Sequence, residues 1–526
     1  MMTTTEPTGT SSAKFQVEMP TSATASRPQA GRQPSAMRRT LGLLAGLAIF
    51  FGMLLMGAPE GMPDKAWMVA ATGCLMATWW ILEAIPIPAT ALAPIALFPL
   101  TGVSSIKVAA APFANPLIFL FLGGFIIAIA MEKWNLHRRL ALNVLKVAGR
   151  NPSAVIAGFM GATAFLSMWV SNTATATMML PIGLSVAALI KAESDGSTLA
   201  SEAFTPALLL GIAYSASIGG IGTLIGTPPN ALLAGFFSQN YHVTIGFADW
   251  MIMAVPLELT LLVIAWLVLT RVAFPVNNVD LSGVKRLIKR EMDDLGSFTR
   301  GELIVAVIFV LTATCWMLRP MIDKALPGVT VTDPGIAVIA ALIIFVIPVF
   351  PAKKVFLVDW TDTKDLPWGV LVLFGGGLSL GAAINESGLS MWIADAMGAA
   401  SSMPVLALII AIAGVVTLIS HLTSNTATAA AFLPLVAALA LSMGENPMLL
   451  AVPAVLAASC VFMMPVATPP NAIVFASGEL TVPQMVKAGV LINVASLILI
   501  VFVAYTALEF AFGVRFGVVP DWALVK

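Results

Sequence analysis

Long apolar stretches separated by short polar segments make up most of this chain. Apolar runs of the kind that form membrane helices recur from residue 41 to residue 510. With Gly, Pro and polar interruptions taken as boundaries, the pattern predicts eleven membrane spans at 41–56, 67–85, 89–100, 117–147, 204–237, 251–274, 303–317, 335–349, 369–383, 449–476 and 490–510. The distal part of the fourth span is amphipathic, so we expect it to lie at the membrane interface. The predicted fold class is an all-α membrane protein.

Two further apolar stretches, 154–190 and 405–441, each carry a small polar sequence near the middle. A stretch of this length with a polar centre fits a helical hairpin that enters the bilayer and returns better than it fits one helix. Irregular backbone at that depth is tolerated only against protein or a water-filled cavity. We therefore expect two re-entrant hairpins in addition to the eleven spans.

The polar centres of the two hairpins have the same sequence. Ser-Asn-Thr-Ala-Thr-Ala occurs at 171–176 and again at 424–429, 253 residues later. A second duplicated motif, Thr-Pro-Pro-Asn-Ala, begins at Thr227 and at Thr468, inside spans that Gly and Pro interrupt. Duplicated, interrupted helices are typical of transporters whose substrate lies between two repeats. The predicted boundaries are about 66–274 for repeat 1, about 275–300 for a cytoplasmic linker and about 301–512 for repeat 2.

Composition supports the membrane location, and the distribution of charge predicts the orientation. The chain is 59% hydrophobic and 10% charged, with a mean hydropathy of +0.94. With a cytoplasmic N-terminus, 21 of the 27 Lys and Arg fall on the cytoplasmic side, as the positive-inside rule requires. The odd number of spans then places the C-terminus outside and inverts the second repeat. Residues 1–37, rich in Ser, Thr and Pro, are expected to be a disordered cytoplasmic tail, and 38–526 the transporter domain.

Each duplicated Ser-Asn-Thr motif combines neutral hydrogen-bond donors with the expected start of a helix. A helix N-terminus has free N–H donors and partial positive charge, which suits an anion. Neither motif contains Lys or Arg, so a cation must come from elsewhere if the loaded site is to be nearly neutral. Hydroxyl, amide and carbonyl oxygens suit a sodium ion. The candidate side chains are Ser167, Ser171 and Asn172 in the first hairpin and Ser420, Ser424 and Asn425 in the second.

Other interpretations of these polar residues remain open. Small polar clusters in membrane helices also mediate helix packing, although duplication with matching flanks favours binding. His421 is either a packing side chain or a proton sensor. Four carboxyls are expected near span ends, in water or among headgroups, with a proton relay as the alternative: Glu83, Glu132, Glu258 and Glu386. An intramembrane enzyme is disfavoured because no span contains zinc-binding His-Glu spacing or paired aspartates.

The duplicated motifs, together with Glu-Ala-Ile-Pro-Ile-Pro at 83–88, resemble those of the divalent-anion:sodium symporter family from about residue 37 to the C-terminus. The resemblance implies a homodimer with a fixed scaffold and a transport domain that moves as an elevator. It implies substrate contacts from Asn172, Thr173, Ser424, Asn425, Thr426, Thr468 and Pro469. It also implies two sodium sites, formed by Ser167, Ser171, Asn172 and Gly226, and by Ser420, Thr423, Asn425 and Ala467.

The sequence is interpreted as a sodium-coupled importer of C4-dicarboxylates in the inner membrane, and not as an enzyme. Sodium is the expected coupling ion. The expected partners are succinate, malate or fumarate, the lipid bilayer and a second copy of the chain, with no nucleic acid. The alternatives are a sodium-independent dicarboxylate exchanger, a citrate or sulfate carrier of the same family, and a passive anion channel. Both copies of the Ser-Asn-Thr motif are intact, which favours symport.

Overall fold

A computed structural model describes residues 36–147, 151–193, 199–276, 282–396 and 403–524. The predicted tail at 1–37 lies almost entirely outside these residues, as does part of the predicted linker. Within the described residues the chain is almost entirely helical, with one short antiparallel pair of strands, β1 (Pro348–Phe350) and β2 (Val355–Phe356). The predicted all-α fold class is confirmed, although the strand pair was not predicted.

The first half of the chain is built from α-helices of very different lengths. They are α1 (Ala36–Met56), α2 (Asp64–Leu82), α3 (Ile87–Thr90), α4 (Ala93–Leu100), α5 (Ile106–Ala110), α6 (Pro116–Lys133), α7 (Leu136–Val147), α8 (Pro152–Ser167), α9 (Asn172–Glu193), α10 (Leu199–Ile221), α11 (Pro228–Tyr241) and α12 (Phe247–Leu267). A 3-10 turn (Ala111–Ala114) precedes α6, and a π-helical segment (Val268–Ala273) extends α12. The predicted span at 89–100 is instead two short helices, because Pro88 and Pro94 occupy first turns, where the missing N–H costs little.

The second half continues with the same kinds of element. Its helices are α13 (Ser282–Leu295), α14 (Arg300–Ala325), α15 (Asp333–Val346), α16 (Trp368–Glu386), α17 (Leu389–Ala396), α18 (Val405–Ser420), α19 (Asn425–Ser442), α20 (Met448–Ser459), α21 (Pro469–Phe475), α22 (Val482–Tyr505) and α23 (Ala507–Phe512). Short 3-10 turns lie at Pro351–Lys353, Trp360–Asp365 and Asp521–Ala523. Helix α13, in the predicted linker, packs against α7 and α9.

Helix length separates full membrane spans from shorter helices. In the described part of the chain, nine helical stretches are long and apolar enough to cross a membrane, and α9 and α19 are among them. Three of the eleven predicted spans coincide with shorter apolar helical stretches, at 87–100 (α3 and α4 taken together), 333–346 and 448–459. A helix of this size is about 18–21 Å long at 1.5 Å per residue, below the thickness of about 30 Å for a hydrocarbon core. The apolar pattern located these helices but overestimated how many are full-length spans.

Each predicted hairpin is a pair of consecutive helices joined by four residues. Helices α8 and α9 pack against each other and against α10, and α18 and α19 pack in the same way with α20. We call residues 168–173 and 421–426 the first and second tips. Residues 222–227 separate α10 from α11, and residues 460–468 separate α20 from α21. We call these two segments the first and second breaks.

The two halves exchange their packing partners around these tips and breaks. Helix α11, which follows the first break, packs on α19 and α20 of the second half, whereas α21 packs on α9 and α10 of the first. The approach is close: a Cβ on Gly377 of α16 would come within 3.3 Å of both Ala430 and Leu232. The tips and breaks of both repeats therefore belong to one packed unit.

A buried ion pair joins α7 to the start of α14. Arg139 Nε lies 2.7 Å from Glu302 Oε1, with only 8% and 2% of the two side chains exposed. Arg139 also donates to the carbonyl of Gly296, which follows α13, at 3.1 Å. Thr299 and Glu302 form a reciprocal capping box at the start of α14. This cluster fixes the segment between the repeats to the helix that precedes the first hairpin.

Candidate substrate and cation site

The first tip is stabilised by a capped helix start. Helix α8 ends at Ser167, and α9 begins at Asn172. The Ser171 hydroxyl accepts a hydrogen bond from the Ala174 N–H at 3.2 Å, so it acts as an N-cap. Ser171 was predicted as a sodium ligand, and here its hydroxyl is engaged by its own helix.

Four oxygen-bearing groups meet beside the first tip. The terminal amide of Asn172 faces the Ser167 hydroxyl at 2.6 Å, the Ala216 carbonyl at 3.1 Å and the Gly226 carbonyl at 3.2 Å. Ser167 Oγ itself lies 2.6 Å from the Ala216 carbonyl. With its nitrogen turned towards these oxygens, the amide donates to them; with Oδ1 turned towards them, all four groups offer oxygen to a cation. Three of the predicted ligands are thus brought together, and Ala216 was missed because a carbonyl has no sequence signature.

The second tip repeats this arrangement with the matching residues. Ser420 Oγ donates to Asn425 Oδ1 at 3.0 Å and lies 2.9 Å from the Ala458 carbonyl, as Ser167 does with Asn172 and Ala216. Ser424 is the N-cap of α19, and its hydroxyl accepts from the Ala427 N–H at 3.5 Å. The duplication in the sequence is therefore a duplication of a polar site, with the same Ser-Asn-carbonyl geometry in both halves.

The asparagine of each Thr-Pro-Pro-Asn motif supports the adjacent break. Asn230 Nδ2 donates to the carbonyls of Gly220, Ile221 and Thr223 at 3.2, 3.1 and 2.8 Å. Asn471 Nδ2 donates to the Met464 carbonyl at 3.0 Å, the position that matches Thr223. No binding role was predicted for either asparagine, although their duplication was visible. They hold irregular backbone in place and leave the carbonyl of Gly226 free to face Asn172.

The other predicted residues lie on or next to these elements. In the first tip Thr173 is exposed, whereas its counterpart Thr426 in the second tip is buried. Thr468 caps α21 by accepting from the Asn471 N–H at 3.3 Å, and Pro469 is exposed in the first turn of α21. The remaining two, Thr423 and Ala467, are buried in the second tip and the second break. The Thr423 hydroxyl bonds the Thr428 hydroxyl at 2.7 Å.

Two titratable side chains lie beside the breaks, His421 at the second tip as the sequence indicates and Glu258 in a place that the sequence did not predict. His421 connects the second tip to the second break: its Nδ1 lies 2.7 Å from the Thr417 carbonyl, and its Nε2 accepts from the Met463 N–H at 3.3 Å. Glu258 was expected near a span end, and that expectation is wrong. It is the twelfth residue of the 21-residue helix α12 and is buried. The apolar run begins at residue 251, but α12 begins four residues earlier, at Phe247, so the run alone gives the wrong distance of Glu258 from the helix end.

Paired polar sites at helix starts, inside a helical membrane core made of two repeats, define the class of secondary transporters. The chain belongs to the sodium:sulfate symporter transmembrane family, whose pattern matches residues 37–510. The resemblance inferred from the duplicated motifs is thereby confirmed. The relatives are transporters and not enzymes.

A curated relative is similar to this chain over nearly its whole length, and two solved structures have a similar fold. It is 42% identical over 490 residues to the sodium-dependent dicarboxylate transporter SdcS of Staphylococcus aureus strain USA300, covering 92% of this chain and 94% of that protein. The fold is similar to that of the YdaH transporter of Alcanivorax borkumensis, with a TM-score of 0.55 at 15% identity over 84% of this chain and 99% of that one. MtrF of Neisseria gonorrhoeae gives a TM-score of 0.53 at 13% identity, over 86% and 97% of the two chains. These two likenesses concern the fold alone.

Proposed function

We propose that this protein imports C4-dicarboxylates such as succinate, malate and fumarate together with sodium ions. The observation that carries the proposal is the twofold repetition of one polar arrangement. Ser167 and Asn172 meet the Ala216 carbonyl at the first tip, and Ser420 and Asn425 meet that of Ala458 at the second. The sodium-dependent dicarboxylate transport named for the relative SdcS supports this substrate class.

In this proposal each tip asparagine serves two ligands at once. The amide oxygen of Asn172 faces a sodium ion bound by the Ser167 hydroxyl and the carbonyls of Ala216 and Gly226, while its amide nitrogen faces a substrate carboxylate. Asn425 does the same with Ser420 and Ala458, with Ala467 and the Thr423 backbone completing the second cation site. Thr173, Ser424 and Thr426 contribute to anion binding through hydroxyl or backbone N–H groups at the helix starts, beside Thr468 and Pro469. One dianion and two sodium ions then form a neutral load, which lowers the cost of crossing the hydrocarbon.

The remaining features of the proposal concern the whole molecule. The short first arms α8 and α18 favour hairpins that re-enter the bilayer over helices that span it. The exchange of packing partners between α11 and α19, and between α21 and α9, favours a transport domain that moves as one body in an elevator motion. We place the protein in the inner membrane as a homodimer, with the N-terminus in the cytoplasm and the C-terminus outside, on the basis of the charge distribution.

The test is uptake of labelled succinate into proteoliposomes that contain the purified full-length protein. An inward sodium gradient should drive saturable uptake, whereas an equal gradient of choline should not. Citrate and sulfate, added in excess, should compete less well than malate and fumarate. Strong competition by citrate or sulfate would instead identify a carrier for those anions.

A second condition separates symport from exchange. Vesicles preloaded with succinate in the absence of sodium should show no accelerated uptake if sodium is obligatory. Uptake that requires internal dicarboxylate and ignores sodium would establish the exchanger and refute the proposal. Asn172→Ala and Asn425→Ala should each abolish sodium-driven uptake, and near wild-type rates in either would show that the tips are not the binding site.

A further inference from the structure

Glu258 is a buried carboxyl that the proposed transport scheme does not yet use. Only 2% of the residue is exposed, and within the described part of the chain Oε2 has no hydrogen-bond partner. Its carboxyl lies directly against the first break, because a side chain at Gly222 would collide with Oε2. A buried ionised carboxylate without a partner is costly, and more so in a membrane helix. Glu258 therefore needs a compensating group beside the first break.

The second repeat shows what this position does when it is not acidic. Helices α12 and α22 begin 235 residues apart, at Phe247 and Val482, and Glu258 matches Asn493. The buried positions of the two helices coincide at this spacing: 250 with 485, 253 with 488, 254 with 489, 257 with 492, 258 with 493, 261 with 496 and 265 with 500. Asn493 and Glu258 therefore occupy equivalent places, each facing the break of its own repeat.

The Asn493 amide both accepts a hydrogen bond from the backbone of the second break and donates one to it. Its Oδ1 accepts from the Phe462 N–H at 3.2 Å, and its Nδ2 donates to the Cys460 carbonyl at 2.7 Å. A carboxylate can only accept, whereas a carboxylic acid, like an amide, has a donor and an acceptor. Replacing the amide by a carboxylate thus creates a need for one positive charge at the first break and for none at the second.

The helices packed against α12 do not supply that charge. Within the described part of the chain, no Lys, Arg or His forms a salt bridge with Glu258. Among the other charged side chains of the helices packed on α12, Arg319 of α14 pairs with Asp333 at 3.4 Å, and Arg271, Arg300, Asp323 and Lys324 are exposed, away from the buried Glu258. Further ionisable side chains of these helices have partners of their own. Tyr214 Oη of α10 donates to the Met485 carbonyl, Lys487 Nζ of α22 donates to the Ala273 carbonyl, Glu302 of α14 pairs with Arg139, and Glu509 of α23 lies 3.7 Å from Arg515. The compensating charge therefore has to come from solution.

We propose that the Glu258 carboxyl takes up one monovalent cation, a proton or a sodium ion, each time the transporter is loaded. This inference rests on the proposed sodium-coupled transport of a dianion. Two sodium ions neutralise the dianion, and the additional cation neutralises the Glu258 carboxylate, so the loaded transport site has no net charge. The ions and substrate that cross the membrane together then carry one net positive charge. The empty protein then returns with an ionised Glu258. Uptake is consequently driven by an inside-negative membrane potential, and the first repeat differs from the second in carrying this additional coupling site.

The experiment measures charge per turnover in proteoliposomes at clamped membrane potential, with fumarate as the substrate because both of its carboxyls are ionised near neutral pH. In the wild type, an inside-negative potential should raise the equilibrium accumulation of fumarate by roughly 50-fold for each ~100 mV, the value for one transported charge. Glu258→Gln supplies an amide of the kind found at Asn493, so it should still accumulate fumarate with sodium but without any response to potential. Glu258→Asp, which keeps the carboxyl, should restore the response.

Glu386→Gln is the matched control, because it removes an exposed carboxyl from the end of α16 and should keep the wild-type response. A trapped pH dye and radioactive sodium identify the cation. If the cation is a proton, fumarate uptake should acidify the lumen in the wild type but not in Glu258→Gln. If the cation is a sodium ion, the ratio of sodium to fumarate taken up should fall from three in the wild type to two in Glu258→Gln.

Three outcomes would overturn the inference or its basis. Sodium-driven uptake by the wild type that ignores potential overturns the Glu258 proposal and leaves sodium coupling intact. Equal responses to potential in the wild type and Glu258→Gln also overturn it. Absence of any sodium-driven uptake by the wild type refutes the proposed function itself.

Discussion

Gly220→Ala should separate folding from sodium binding. Gly220 lies near the end of α10, and a Cβ there would come within 2.6 Å of Asn172 Oδ1, 2.9 Å of Nδ2 and 3.1 Å of Cγ. These atoms belong to the end of a flexible side chain, so the methyl group can be accommodated if the amide swings away. That movement removes Asn172 from Ser167, Ala216 and Gly226, the groups proposed to share a cation with it.

The expected magnitude follows from the three contacts that the Asn172 amide loses. At about 0.5–1.5 kcal/mol for each polar contact, the loss is about 1.5–4.5 kcal/mol. At 1.4 kcal/mol per factor of ten, sodium affinity should fall roughly 10-fold to 1,000-fold. The assay is the half-saturating sodium concentration for succinate uptake in proteoliposomes. The thermal unfolding midpoint, measured without sodium, records separately how much the lost contacts cost the fold.

Gly161→Ala provides the control, since Gly161 lies in α8 of the same hairpin and a Cβ there meets nothing within 4 Å. It should leave uptake unchanged and stabilise the helix by up to about 1 kcal/mol. Wild-type sodium dependence in Gly220→Ala would refute the placement of Asn172 at a cation site.

Three further predictions follow from the same structure. Asn230→Ala removes three hydrogen bonds from the first break and Asn471→Ala one from the second, so Asn230→Ala should lower the thermal unfolding midpoint more; equal losses would contradict this assignment. Glu302→Ala leaves Arg139 unpaired and should cost about 3–5 kcal/mol of stability in urea unfolding, and a loss below ~1 kcal/mol would show the pair to be dispensable. Sodium and succinate should stabilise each other by about 1–3 kcal/mol, seen as a larger thermal shift by succinate in sodium than in choline; identical shifts would exclude coupled sites.

The parts of the site that depend on side-chain identity could be predicted from the sequence. The spacing of 253 residues between the two Ser-Asn-Thr motifs implied equivalent surroundings, and Ser167–Asn172 and Ser420–Asn425 do have the same geometry. The interruptions at Thr-Pro-Pro-Asn were visible for a similar reason, because Pro ends one helix and begins the next.

The parts that depend on tertiary packing could not be predicted. The carbonyls of Ala216 and Ala458 are backbone groups that any residue could supply, so no letter in the sequence marks them. The burial of Glu258 was missed because the predicted span, 251–274, began four residues after the true start of α12 and so placed Glu258 nearer to a helix end than it is. Its equivalence to Asn493 emerges only when the buried faces of α12 and α22 are aligned.

The most direct test of the central claim is an electron cryomicroscopy structure of the full-length protein in sodium and succinate, compared with one in choline alone. The account predicts succinate density between Asn172 and Asn425 at the two tips. It also predicts a rounded density beside Ser167 and the Gly226 carbonyl, and another beside Ser420, both lost in choline. Succinate bound elsewhere, for example in the cavity of about 110 Å³ that Lys65 and Glu386 help to line, with the tips unchanged between the two conditions, would contradict the account.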